Sequence, residues 1–518
     1  MSVAEPAIGS LPTRPEALLT GARAILVFVG IFLAVLMGGL DALVVSTALP
    51  TIALDLHQAS GITFVVSAYL IASTVAIPIF ARISDGVSRR NVFIAGLAIF
   101  IVGSSLAGAS QNLAELIAFR GVQGFGIGGL FPVAIAMVAV LYPPEVRTKV
   151  TALLAGAAGI SIVAGPLLGS YIVDTTTWRW VFYINLPIGI AGVIILSLGI
   201  GALKPSGVLR FDWAGAATLS AWVAALMFAL VQVSEGTWAW GDPRTVGLLV
   251  AAGVLFLAFL AWELRTPDPL VPLRLLRIRV LASCGGTAFF NGIVFGAAMT
   301  FLSLFVGLVL FRGSSSAPNE VRDMLYFFAV PMIIGAVLSA PLLARLSYRA
   351  VTVPSLAVAA ISCLFLTTLT ATTPLWVVRF GFLPVGGLVL PLIPMGVGSG
   401  LALGANTLAV QSEAPLREVG ASVGIVRFLQ SLGAALGLSL LSAFQTWRYG
   451  ELASSARTPS AVSAALVTSY DEVFLIVALL IGLAFGFALF LVGRLPTASS
   501  QSPPARAEPS EGPRLPST

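Results

Sequence analysis

The segment Pro78-Ile-Phe-Ala-Arg82-Ile-Ser84-Asp85 returns later in the chain as Pro341-Leu-Leu-Ala-Arg345-Leu-Ser347-Tyr348, with proline, alanine, arginine and serine in the same positions. Each copy ends an apolar block, and the two prolines are 263 residues apart (341 − 78). The same offset maps six apolar blocks of the first half onto six of the second and leaves two blocks between the halves. Paired six-helix halves are typical of transporters, because a site between them can open to either side of a membrane in turn. The alternative is chance similarity between low-complexity apolar segments.

The composition indicates a lipid environment. Of the 518 residues, 58% are apolar and only 10% are charged, against about 25% charged residues in a soluble domain. A helix crosses a bilayer core of about 30 Å with about 20 mainly apolar residues. We therefore predict an all-α polytopic membrane protein with fourteen spans, near residues 25–47, 62–81, 91–109, 113–140, 150–172, 180–202, 213–232, 245–263, 281–310, 324–344, 351–370, 386–410, 419–446 and 472–493.

The basic residues set the direction of the spans. With the N-terminus placed in the cytoplasm, 19 of the Lys and Arg residues outside the apolar blocks fall on the cytoplasmic side and 7 on the outer side. Because cytoplasmic loops carry an excess of Lys and Arg, we predict that both termini are cytoplasmic and that the chain lies in the inner (cytoplasmic) membrane. This topology also accounts for the net charge of +6 without a nucleic-acid partner.

The predicted organisation has five parts. A cytoplasmic N-terminal segment (1–24) precedes a six-helix bundle (25–202), and a linker of two membrane helices and a cytoplasmic loop (203–280) precedes a second six-helix bundle (281–494). The remaining residues, 495–518, are rich in Pro, Ser and Ala, which predicts a disordered cytoplasmic tail.

Four further motifs resemble those of a known family. They are the loop 81–90, the segment Arg120-Gly-Val-Gln123-Gly124-Phe-Gly126 in span 4, the segment Gly159–Gly169 in span 5, and Trp178-Arg179-Trp180-Val-Phe-Tyr-Ile-Asn185-Leu-Pro187. Together they resemble the major facilitator superfamily, in its fourteen-helix drug:proton antiporter group. Ala81 and Ser88 depart from the family's loop pattern, in which glycine is usual at both positions. The resemblance implies the fold of that superfamily, with two pseudo-symmetric six-helix bundles plus two inserted helices.

The resemblance of loop 81–90 implies a conformational switch. Asp85, Arg89 and Arg90 would form a charge network at the cytoplasmic ends of helices, which stabilises one conformation and must break in the other. The alternative is a solvated basic loop that only sets the topology.

The segment in span 5 resembles the antiporter motif that the family's exporters share. Gly165, Pro166 and Gly169 are its residues here, with small side chains for close helix contact and a proline that allows a bend. The alternative is ordinary packing of small residues between membrane helices.

Two charges within the apolar blocks are candidates for proton coupling. Arg120 belongs to the segment that resembles the family's proton-coupling motif, and an arginine in hydrocarbon requires a partner or a wet cavity. Asp41 in span 1 lies at a similar depth, because the two spans enter the membrane from opposite sides. We expect the two to meet and Asp41 to bind the coupling proton, released or taken up as helix movement changes its distance from Arg120. The alternative is a structural ion pair.

A third charge, Arg427, falls in span 13. It is either a charge in the central cavity or an arginine whose long side chain reaches the cytoplasmic surface.

The sequence argues against most other functions. Neither Lys149 nor Lys204 follows a glycine, so there is no Walker A loop, and with His57 as its one histidine the chain offers no hydrolytic triad or metal site. We therefore expect a monomeric proton-coupled antiporter, not an enzyme, that needs no cofactor or metal and exports hydrophobic or amphipathic small molecules by alternating access. A channel is the alternative mechanism, and paired repeats with one buried acid favour a transporter.

Lipid export is the alternative for the cargo. Residues 374–390 on the outer side are compatible with a short β-hairpin about Pro384 to Gly387, and the partly helical segment Trp447 to Glu472 joins spans 13 and 14. Both features resemble the mycobacterial triacylglyceride exporters of the same superfamily. The glutamate that those exporters carry in span 5 has no acidic counterpart in this chain, which weakens the lipid alternative.

Overall fold

The computed structural model describes residues 19–57, 62, 64–200, 211–234, 236–310, 317–368, 378–380, 383–385, 387–415, 418–491 and 493. Within these ranges thirteen helical segments are long and apolar enough to cross a membrane. A further helix, Pro144–Thr175, contains the predicted fifth span, so each of the fourteen predicted spans corresponds to a helix in the described chain. The predicted tail, 495–518, lies outside the described residues.

The helices of the first half are α1 (Gly21–Asp55), α2 (Phe64–Gly86), α3 (Arg89–Ala109), α4 (Leu113–Gly128), α5 (Leu130–Leu141), α6 (Pro144–Thr175), α7 (Trp180–Tyr183) and α8 (Asn185–Gly199). One span consists of α4 and α5 together, and another of α7 and α8. The inserted helices are α9 (Trp213–Ser234) and α10 (Pro243–Glu263).

The second half begins with a 3₁₀ turn, Leu273–Arg277. Its helices are α11 (Arg279–Phe305, continued by the π-helical turn Val306–Leu310), α12 (Ala317–Leu343), α13 (Tyr348–Leu366), α14 (Val389–Glu413), α15 (Val419–Ser454) and α16 (Pro459–Ala488).

Polar side chains set the starts of several helices. Each accepts a hydrogen bond from a backbone N–H of the first turn, which would otherwise lack a partner. These N-caps are Asn112 for α4, Asp242 for α10, Ser347 for α13 and Thr458 for α16.

Helix packing in the two halves follows one pattern. In the first half α1 packs against α6 and α8, α2 against α4, and α3 against α4 and α8. In the second half α11 packs against α15 and α16, α12 against α14, and α13 against α14 and α16. The offset of the sequence repeat pairs each of these contacts with its counterpart. The contacts between the halves correspond in the same way: α2 packs against α15, and α12 packs against α6. The repeat is therefore structural rather than chance similarity.

A two-stranded antiparallel hairpin, β1 (Val378–Phe380) and β2 (Leu383–Val385), lies between α13 and α14. A hairpin is therefore present in the region where one was considered, but its turn is not at Pro384 to Gly387. Phe380 pairs with Leu383, and Pro384 lies within β2 opposite Arg379. A proline is compatible with this position because an edge strand does not need its missing N–H.

The outer connection between the last two spans is almost entirely helical. α15 continues to Ser454, and α16 begins at Pro459, well before the predicted start of span 14 at residue 472. Thr458 as N-cap and Pro459 in the first turn are a helix-start signal that the apolar pattern alone does not show. Arg448 in α15 joins the two helices in this region by donating to both carboxylate oxygens of Glu472 in α16, at 2.7 and 2.8 Å.

Candidate functional site

Asp41, in α1, is buried among polar side chains from two other helices. Arg120 Nη1 in α4 donates to Asp41 Oδ2 at 2.5 Å. Gln123 Nε2, also in α4, and Asn185 Nδ2, at the start of α8, donate to Asp41 Oδ1 at 2.8 and 2.9 Å. Asp41 is 1% exposed and Arg120 is fully buried, so the expected contact is present as a buried ion pair. Ion pairing and hydrogen bonds to both oxygens offset part of the cost of burying this carboxylate.

Arg120 is directed into the bundle rather than toward lipid. Its Nε donates to the backbone oxygen of Val65 at 3.1 Å, and its Nη1 also donates to Gln123 Oε1 at 2.8 Å. The guanidinium carbon lies 4.0 Å from the centroid of the Tyr69 ring in α2, a cation–π contact. Arg120 Nη2 has no hydrogen-bond partner within the described part of the chain. One donor of the guanidinium group is therefore not used in holding the side chain in place.

A cavity of about 360 Å³ lies between the two halves, next to this ion pair. Its walls are mainly apolar and come from α1, α2, α4, α5 and α6 of the first half and α11 and α15 of the second. Tyr69 lines the cavity and also contacts Arg120, and its hydroxyl donates to the backbone oxygen of Gly38, three residues before Asp41. Tyr69 thus connects the ion pair to the cavity.

Arg427, in α15, lines the same cavity. Its guanidinium carbon lies 3.5 Å from the centroid of the Phe131 ring in α5 of the first half, and its Nη1 donates to Gln430 Oε1 at 2.7 Å. The sequence left two positions open for Arg427, the central cavity and the membrane surface. In the structure its side chain lies in the cavity.

Asp85, at the C-terminal end of α2, binds the first turn of α15 in the other half. The backbone N–H groups of Gly420 and Ala421 donate to its two carboxylate oxygens at 3.1 and 2.7 Å. A carboxylate is favoured at a helix N-terminus, where unpaired N–H groups and the helix dipole attract negative charge. A second bond between the halves, from Thr151 Oγ1 to Gln411 Oε1 at 2.8 Å, joins α6 to α14. These contacts join the halves at one end of the cavity, the end that the charge pattern predicts to face the cytoplasm.

The arginines of the loop are arranged differently from the expected network. Arg89 Nη2 lies 3.4 Å from Asp85 Oδ1, but Arg90 donates to the backbone oxygen of Ser197 in α8 at 2.9 Å. The two oxygens of Asp85 accept hydrogen bonds from the backbone of α15 as well as from Arg89. Asp85 therefore acts between the halves, whereas Arg90 anchors α3 within the first half.

Gly165 and Gly169 are buried where α6 crosses α1. A Cβ atom at Gly165 would lie 2.6 Å from the side chain of Leu43, and one at Gly169 would lie 2.0 Å from Thr47 Oγ1. The two glycines permit a helix approach that other residues would block. Pro166 lies within α6, and its side chain is not among those that the structure describes.

We expect Gly169→Ala to destabilise the protein by about 1–3 kcal/mol, the usual cost of overpacking a core. The added methyl would also lie 2.9 Å from the backbone oxygen of Val44, which can move only with α1. Thermal unfolding of the purified variant in detergent measures the change. Gly156→Ala in the same helix is the control, because a Cβ atom there has its nearest neighbours at 3.8 Å. Equal unfolding midpoints for the two variants would disprove the tight crossing.

Three residues of the site were not singled out from the sequence: Tyr69, Gln123 and Asn185. Gln123 and Asn185 stand within motifs that were noted, and a general signal was available for both, because a polar amide in an apolar span requires hydrogen-bond partners. Tyr69 has no such signal. Among the residues that the structure describes, no group of three or more His, Cys, Asp or Glu side chains is placed to hold a metal ion.

Two matched helical bundles around a central cavity, with a buried ion pair beside it, define a polytopic membrane transporter. The family model of the Major Facilitator Superfamily matches residues 31–438. The chain belongs to the Major Facilitator Superfamily, as the motifs predicted.

Two proteins of Bacillus subtilis (strain 168) are among its relatives. The Multidrug transporter protein MdtP is 31% identical over 434 residues, which are 84% of this chain and 77% of that protein. Multidrug resistance protein 3 is 30% identical over 425 residues, with 81% and 79% covered. The solved structure of the proton:xylose symporter XylE covers 88% of this chain with a TM-score of 0.58 at 12% identity, a likeness in fold. The fold class and the prediction of a transporter rather than an enzyme are confirmed.

Proposed function

We propose that this chain is a proton-coupled antiporter that exports hydrophobic or amphipathic small molecules from the cytoplasm by alternating access. In this proposal it works as a monomer in the inner membrane with both termini in the cytoplasm. The proton gradient supplies the energy, and no cofactor takes part. The names of the two Bacillus subtilis relatives, which refer to multidrug transport and resistance, support this class of cargo.

The observation that carries the proposal is the contact of Tyr69 with both the ion pair and the cavity. A proton on Asp41 would cancel the charge of the carboxylate and weaken its charge-assisted hydrogen bond from Arg120. Arg120 would then be free to shift against the ring that forms part of the cavity wall. Protonation and cargo binding thereby act on one side chain, which is a physical basis for coupling.

The contact between Asp85 and α15 supplies the gate in this mechanism. When it is formed, the cavity is closed to the cytoplasm, and when it breaks, the halves are free to separate on that side. Because this contact is a small set of hydrogen bonds at one helix end, a modest change in the relative free energies of the two conformations is enough to shift the equilibrium between them.

Lipid export is the weaker candidate. The outer hairpin of β1 and β2 and the long α15 and α16 are the features that favour it. The named relatives do not support it, and an amphipathic small molecule fits a cavity of about 360 Å³ better than a triacylglyceride does.

In inverted proteoliposomes, where the cytoplasmic face of the protein is outside, we expect a hydrophobic dye to accumulate when the lumen is acidic. For one proton exchanged per dye molecule, each pH unit of gradient supports about tenfold accumulation. A protonophore should return the dye to the level of protein-free vesicles. Accumulation that ignores the gradient would rule out proton coupling. Failure of every dye, together with gradient-driven transfer of a labelled triacylglyceride, would replace the proposed cargo by lipid.

A further inference from the structure

The charge balance of the cavity is uneven. Of the cavity-lining residues that the structure describes, Arg427 is the one with a charge, and the polar remainder consists of neutral hydroxyls and amides such as Ser73, Ser431 and Gln430. Arg427 also borders a narrow adjoining cleft that contains Asn291 and Asn406. The binding surface is thus apolar with a single positive group.

Within the described part of the chain this positive charge has no counterion. The polar partner of Arg427 is the neutral amide of Gln430, its other contact is the ring of Phe131, and no described carboxylate forms an ion pair with it. Asp41, by contrast, is fully engaged by Arg120, Gln123 and Asn185. The charge of Arg427 is partly removed from water and no described carboxylate balances it, which is unfavourable. An anion that enters the cavity relieves this cost at Arg427 and at no other residue of the described lining.

We propose that the cavity selects amphipathic organic anions, with a carboxylate or sulfonate for Arg427 and an apolar body for the remaining walls. This inference rests on the proposed export function and narrows its cargo. Guanidinium groups bind carboxylates through two parallel hydrogen bonds, and Phe131 and Phe295 offer aromatic surface to the body of the cargo. An amphipathic cation of the same size is repelled by Arg427, and screening inside the cavity is weaker than in water.

The position of Arg427 also links anion binding to the two halves of the molecule. Arg427 belongs to α15 and stacks on Phe131 of α5, so it spans the boundary between the bundles. Thr74 and Ser431 are hydrogen-bonded at 2.7 Å across the same boundary. An anion held by Arg427 therefore binds where α15 moves against the first half.

Equilibrium binding to the full chain in lipid nanodiscs tests this inference. The probes are a dansyl-labelled alkyl carboxylate and a dansyl-labelled alkyl trimethylammonium of equal chain length, with empty nanodiscs as background. We expect the carboxylate to bind at least about tenfold tighter than the ammonium, as a charge-assisted pair predicts. Arg427→Gln should remove this preference, and Arg427→Lys, which keeps the charge, should retain part of it.

Equal affinity of the unmodified protein for the two probes would overturn the inference, as would an Arg427→Gln variant that weakens both probes to the same extent. If Arg427→Gln does not fold, the unmodified protein and Arg427→Lys still decide the outcome. The measurement uses no gradient. A carboxylate preference without proton-driven export would therefore refute the coupling alone, and coupled export with a preference for the ammonium would refute the anion selectivity alone.

Discussion

Asp41→Asn is expected to abolish gradient-driven export while the protein still folds and binds cargo. Asparagine has the size of aspartate, and its one oxygen can still accept the hydrogen bonds from Gln123 and Asn185. Its amide nitrogen then takes the place of the oxygen that accepts from Arg120, and it cannot take up a proton. The uphill transport of dye into inverted proteoliposomes should fall to the level of protein-free vesicles. Equilibrium binding of the same dye should persist, because Tyr69 and not Asp41 lines the cavity.

Asp55→Asn is the matched control, since it is the same change in the same helix. Asp55 lies at the C-terminal end of α1, where hydrogen bonds from Trp178 and Arg179 hold its pKa below the usual range. It therefore stays ionised and has no proton to exchange near neutral pH, so its loss should leave coupled transport unchanged. Uphill transport that survives Asp41→Asn would show that the ion pair with Arg120 is structural only.

The sequence predicted those parts of the molecule that depend on local pattern. Span positions follow from apolar length, and the pairing of the halves follows from the repeat at Pro78 and Pro341. The meeting of Asp41 and Arg120 was predicted from rise per residue and direction, which set the depth of both residues and leave the rotation of each helix free. The high cost of a lipid-facing arginine removes that freedom as well.

The parts that escaped prediction depend on which helices become neighbours. Asp85 was correctly placed at a helix end, but its partners are backbone N–H groups 335 and 336 residues away, and backbone groups leave no mark in a sequence. Tyr69 acquires its position only because α2 packs against α4, where Arg120 lies. The start of α16 was placed too late because its outer turns are less apolar than a membrane span, although Thr458 and Pro459 mark the helix start.

Asp85→Ala is expected to shift the protein toward a conformation open to the cytoplasm. The first turn of α15 has no side-chain cap of its own, so Asp85 supplies its capping from the opposite half. Hydrogen bonds to a charged group contribute about 1.5–3 kcal/mol each, and the loss of about 3 kcal/mol changes the ratio of two conformations by about 100-fold. The steady-state rate of export should fall, because the outward-facing conformation is depopulated.

Maleimide labelling of a cysteine at Thr151 measures this shift, in a protein whose buried Cys284 and Cys363 are replaced by serine. Thr151 is fully buried where α6 meets α14, on a boundary that Asp85 does not touch, so labelling there reports separation of the halves rather than fraying of α15. Asp85→Ala should raise the labelling rate. Glu115→Ala removes the same charge at the N-terminal end of α4 and should not, since all described hydrogen bonds of Glu115 are to Gln111 and Asn112 at the start of its own helix. The reporter cysteine removes the bond from Thr151 to Gln411 in both variants alike, so equal labelling of the two would mean that neither this bond nor Asp85 holds the halves together.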